Sequence, residues 1–146
     1  PKLIRPDAFL QRDVGRTITD REKKEYKKRV LNSFMIAKEK GVIIAAGSDT
    51  VYEPACQYGQ MTLEEYKEIA KSGMSVPEAI RAITQNGAIA CGMKDRVGAI
   101  QEGLEADFLV LDEDPELSVD IIGQPGHIEQ VVLNGSTVVV KGQLIW

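Results

Sequence analysis

Val42-Ile43-Ile44-Ala45-Ala46 is a continuous apolar run that ends directly in Gly47-Ser48-Asp49-Thr50. An apolar run of this length without alternation predicts a strand over residues 42–46, covered on both faces as in a parallel sheet. A carboxylate at the carboxyl end of such a strand sits where α/β barrels build their active sites. The chain holds a single histidine, so Asp49 has few partners of its own for metal or acid–base chemistry.

The stretch before that run predicts a helix with a defined start. Thr19 and Glu22 make a Thr-x-x-Glu capping box, which satisfies two amide donors at a helix start. Tyr26, Val30, Phe34 and Ala37 recur at helical spacing, and Leu31 and Met35 widen the apolar face. Gly41 is placed to stop the helix in the left-handed region.

After Asp49 an irregular stretch, residues 51–61, is expected. Thr62 and Glu65 then predict the cap of a second helix, with Tyr66, Ile69 and Ala70 inward and Gly73 as its stop. Ser75 and Glu78 repeat the capping box, with Pro77 in the first turn where its missing donor costs nothing. The Ala-rich third helix is expected to continue towards Gly92.

From Val97 onward the pattern changes. Gly98-Ala99-Ile100 and Phe108-Leu109-Val110-Leu111 predict short strands around a turn at Gly103. Asn134-Gly135, between two apolar runs, predicts a hairpin with a type I′ turn. Asp107 is expected to anchor a loop by hydrogen bonds, and Asp112, Glu113 and Asp114 to form a solvated turn without calcium-loop spacing.

Net charge −4 leaves no basic footprint for nucleic acid. The cluster Lys23, Lys24, Lys27, Lys28 and Arg29 is interleaved with Asp20, Glu22 and Glu25, which predicts a solvated helix face. No apolar stretch approaches the roughly 20 residues that span a bilayer, and no charged-then-apolar leader opens the sequence. Cys56 and Cys91 fit no metal or redox spacing, so a cytoplasmic, reducing setting is expected.

Taken together, these pieces resemble the carboxyl-terminal third of a metal-dependent amidohydrolase of the imidazolonepropionase-like and prolidase-like branch. The resemblance rests on Gly47-Ser48-Asp49, then Gly73-Met74-Ser75, Glu78-Ala79-Ile80, Ala82, Thr84 and Asn86-Gly87-Ala88. It continues through Asp95 to Ile100, Gly103, Ala106-Asp107 and Leu109-Val110-Leu111-Asp112. The resemblance implies an α/β fold: residues 1–95 as the last helices and final strand of a (β/α)8 barrel, residues 96–146 as part of a small composite β-sandwich.

It further implies a hydrolase of carbon–nitrogen bonds that uses a divalent metal, zinc in this expectation, with Asp49 as metal ligand and proton carrier. Tyr52 and Tyr58, in the stretch after Asp49, are the expected substrate contacts, with Glu53 and Cys56 beside them. A small-molecule substrate and a possible homo-oligomer complete the expectation, with no nucleic-acid or membrane partner. The family's His-x-His pair, its mid-barrel lysine or carboxylate and its two later histidines have no counterpart here. A barrel takes about 250 residues and a catalytic zinc three protein ligands. The chain is therefore expected to be a fragment that binds no metal alone. The alternatives are a non-catalytic module that associates with other chains, or truncated copies assembled into a barrel-like particle. His127 is expected in a loop or surface role, and Thr50 as a residue that shapes the turn.

Overall fold

The computed structural model describes residues 18–48 and 58–145. Helix α1 (Asp20–Glu39) starts on the expected capping box. The Glu22 amide donates to Thr19 Oγ1 at 3.3 Å, and the Thr19 amide donates to Glu22 Oε2 at 2.9 Å. The helix ends as Gly41 enters the left-handed region at φ 70°, which a residue without Cβ adopts at no steric cost. Its charged face is laced by Arg21–Glu25 and Lys23–Asp20 pairs, as the interleaved charges predict.

Helix α2 (Tyr58–Lys71) begins four residues ahead of Thr62. The expected cap at Thr62 and Glu65 is therefore corrected: both lie inside the helix. Met61, Glu65 and Ile69 follow one another at four-residue spacing, and all three are buried. Extending the helix upstream puts Met61 on that inward face, a gain that outweighs a cap further along the chain.

Helix α3 (Val76–Ile83) starts on the second capping box, with Pro at the first turn. Its face is Ala79 and Ala82, both fully buried, so neighbouring backbone approaches closely. The expected single helix to Gly92 is in fact two. Thr84 breaks it at φ −113°, ψ −92°, and α4 (Gln85–Ala90) follows. The Thr84 hydroxyl satisfies the Ile80 carbonyl at 2.7 Å, and the break redirects the chain so that α4 meets the segment after α1.

One core joins α1, α2 and α3: Val30, Phe34, Tyr66, Ile69, Ala79 and Ile122, with Leu111 and Val119 packed against it. The sheet is a four-stranded antiparallel meander, β1 (Phe108–Leu111), β2 (Ile128–Leu133), β3 (Ser136–Val140) and β4 (Gln143–Leu144), in that spatial order. Leu109 faces Val131, and Val131 faces Val139.

The expected turn is present, with Asn134 at φ 48° and Gly135 at φ 76°. Asp107 anchors it as expected, its Oδ1 accepting from the Asn134 amide at 2.6 Å. The strand expected at Gly98-Ala99-Ile100 is not formed, and bends and turns take its place. Gly98, at φ +101°, lies so close to α4 that a Cβ there would meet Ala88 Cβ at 2.7 Å. That contact and the positive φ bend the backbone away from any strand partner.

Candidate active site

The segment that leads to Asp49, residues 42–48, forms neither helix nor strand and pairs with no strand among the described residues, where a buried strand was expected at residues 42–46. Val42 and Ile43 are 56% and 65% exposed. An apolar run becomes a two-sided buried strand only where neighbouring strands supply hydrogen bonds and cover. Here the helices supply one side alone, and Ile44 and Ala46 pack against the helical core.

Hydrogen bonds to α1, α3 and α4 hold the segment. The Val42 amide donates to Ala37 O at 3.0 Å, which finishes α1. The Ala46 amide donates to Ala82 O of α3 at 2.9 Å. Asn86 Nδ2, in the first turn of α4, donates to Ile44 O at 2.8 Å. The Ala82 position also shows why α3 carries alanine: with a fully buried methyl there, the backbone at Ala46 reaches hydrogen-bond distance of the helix.

A second fastening lies behind these helices. Lys38 Nζ donates to the Gly73 carbonyl and to Glu78 Oε2, tying the last turn of α1 to the start of α3. The Glu78 carboxyl is held below its ordinary range, first by the Ser75 amide and then by the Lys38 ammonium and Ser75 hydroxyl.

Asp49 and Tyr52 lie outside the described residues, as do Thr50, Glu53 and Cys56. Tyr58 opens α2. His127 stands at the sheet, its Nδ1 2.9 Å from Asp112 Oδ1, in the short 3-10 turn Pro125–His127 ahead of β2. Among the described residues no group of three His, Cys, Asp or Glu could hold a metal ion, so these residues do not by themselves fit the metal that the resemblance implies. Asn86 had been legible only as part of a motif. Its spacing in sequence carries no hint that it reaches back to Ile44.

A profile of the Amidohydrolase family matches residues 19–138. The chain belongs to that family. The match runs from the first capping box to the hairpin, and so takes in the helices and the sheet together. Ochratoxinase of Aspergillus niger is 32% identical over 106 residues, 72% of this chain and 21% of that enzyme. A probable imidazolonepropionase of Bos taurus is 30% identical over 108 residues, 74% of this chain and 24% of that protein. In crystal structures, an amidohydrolase superimposes with a TM-score of 0.71 at 29% identity, covering 96% of this chain and 34% of its own. The family is the one the motifs point to, and the chain spans about a quarter of the curated relatives it matches.

Proposed function

We propose that this amidohydrolase-family chain supplies the carboxyl-terminal part of a metal-dependent enzyme that hydrolyses a carbon–nitrogen bond, with Asp49 as metal ligand and proton carrier. The observation that carries the reading is the placement of residues 42–48. Helices α3 and α4 hold Ala46 and Ile44 of an apolar segment that continues in sequence into Gly47-Ser48-Asp49.

In this reading residues 42–46 become the last strand of a (β/α)8 barrel when strands from elsewhere in the protein pair with them and cover the exposed Val42 and Ile43. The antiparallel sheet belongs to a small composite β-sandwich. The remaining metal ligands come from outside the described residues. The metal, zinc in this proposal, would when bound lower the pKa of a water to about 7. Asp49 takes up a proton and delivers it to the leaving amine. Tyr52 and Tyr58 contact a substrate that is an N-acyl amino acid, a cyclic amide or an Xaa-Pro dipeptide. The enzyme is cytoplasmic in this reading. No helix among the described residues is long and apolar enough to cross a membrane.

The test is Asp49→Asn in the full-length protein from its natural source, loaded with zinc and assayed on those three substrate classes. Turnover should fall roughly 10²–10⁴-fold, the usual worth of a positioned acid–base group, with thermal unfolding unchanged. A variant that keeps its full rate overturns the assignment.

A second reading has its own support. Val42 and Ile43, with Leu109, Leu133 and Leu144 of the sheet, are exposed apolar side chains of the kind that drive association. On that reading the chain is a non-catalytic module that binds other chains or a second copy of itself. Sedimentation at several concentrations decides between a stable oligomer and a soluble monomer, and the monomer removes this reading.

A further inference from the structure

The segment over residues 42–48 is gripped at two points by one helix pair. Ile44 O accepts from Asn86 Nδ2 at 2.8 Å, and the Ala46 amide donates to Ala82 O at 2.9 Å. Ile44 and Ala46 are the half-buried residues here, with Ile43 and Ala45 exposed between and beside them, so a slip of one residue would present Ile43 and Ala45 instead and break both bonds. The Ala82 carbonyl is backbone, which any sequence offers. The Asn86 carboxamide is a side chain, and its bond to Ile44 O is a contact that this sequence in particular supplies.

Helix α3 gives way to α4 at Thr84, φ −113°, ψ −92°, and Asn86 stands in the first turn of α4. The break is backed by Gly98, where a Cβ would come within 3.1 Å of Gln85 Cα and 3.2 Å of Thr84 O.

We propose that Asn86 is a positioning residue, whose carboxamide holds residues 42–48 in register and so sets where the chain delivers Asp49. The inference rests on the reading of Asp49 given above for its catalytic purpose, but the anchoring stands on the hydrogen bonds alone.

The experiment is peptide-resolved hydrogen–deuterium exchange on the full-length protein, comparing wild type with Asn86→Ala and Asn86→Asp. The aspartate keeps the shape and removes the donor. In both variants the peptide over residues 42–48 should exchange about fivefold faster, the effect of one lost hydrogen bond, while α1 and β2–β3 peptides keep their rates. Unchanged exchange in residues 42–48, a uniform rise over the whole chain, or an aspartate variant that behaves as wild type overturns the proposal. On whichever of an N-acetyl amino acid or an Ala-Pro dipeptide the zinc-loaded wild type hydrolyses, kcat should fall about tenfold with KM held, since misplacement acts on the transition state. Unchanged kcat overturns the catalytic purpose. If Asp49→Asn keeps full turnover while the exchange effect is present, the Asp49 reading has failed and the anchoring has not.

Discussion

Lys38 Nζ lies 3.0 Å from Glu78 Oε2, so the last turn of α1 is fastened to the capping box that opens α3. The same ammonium also donates to the Gly73 carbonyl within the α2–α3 connection. One cation thus links the last turn of α1, the α2–α3 connection and the start of α3.

Replacing that cation with an apolar chain of similar length, Lys38→Met, should cost about 0.5–1 kcal/mol. The pair is partly exposed, and solvent-screened pairs contribute little more than this. Urea unfolding at low and high salt checks it, because the wild-type advantage should shrink as salt rises.

Glu78 gives an acid-side prediction. Its folded-state pKa is lowered, so it contributes stability above the unfolded carboxyl value, and that stability is lost as pH falls through the folded value. Unfolding midpoints followed from pH 6 downward should therefore decline in wild type below about pH 4.5, the ordinary carboxyl region. They should decline less steeply in Glu78→Gln. Parallel curves for the two proteins would remove the assignment.

Tyr66 gives the opposite sign at the alkaline end. Burial first, and the nearby Asp120 carboxylate second, push its phenol above the ordinary value. The folded state then holds the proton longer than the unfolded state, so stability present below about pH 10 is lost as pH rises further. The Tyr66 hydroxyl is buried and has no hydrogen-bond partner among the described residues. Tyr66→Phe should be neutral or stabilising by up to about 1 kcal/mol, and should flatten the alkaline loss. Thermal melts at pH 7 and pH 10.5 read both effects.

Gly98→Ala should destabilise by about 1–3 kcal/mol, since the added methyl meets Ala88 Cβ at 2.7 Å and the backbone sits at φ +101°. Gly103→Ala is the matched control. Its φ is also positive, at +90°, but nothing lies within 4 Å of the added carbon, so only the backbone cost remains. Equal losses in the two variants would show that the contact with α4 does not matter.

The elements that were legible in the sequence are those whose causes are local. Thr19 with Glu22, and Ser75 with Glu78, close their capping boxes within three residues. Asn134-Gly135 makes its turn from its own backbone preferences, and Gly41 stops α1 because it lacks a Cβ. The run of motifs that placed the chain in its family also needs no tertiary information. What only the tertiary structure decided depends on partners distant along the chain. The start of α2 follows from Met61 reaching the core, and the break at Thr84 from the approach of Gly98. Residues 42–46 have the apolar composition of a strand, but a strand needs a second strand to bond to. Among the described residues the partners are instead the Ala82 carbonyl and the Asn86 carboxamide, and no pattern within the segment could have named them.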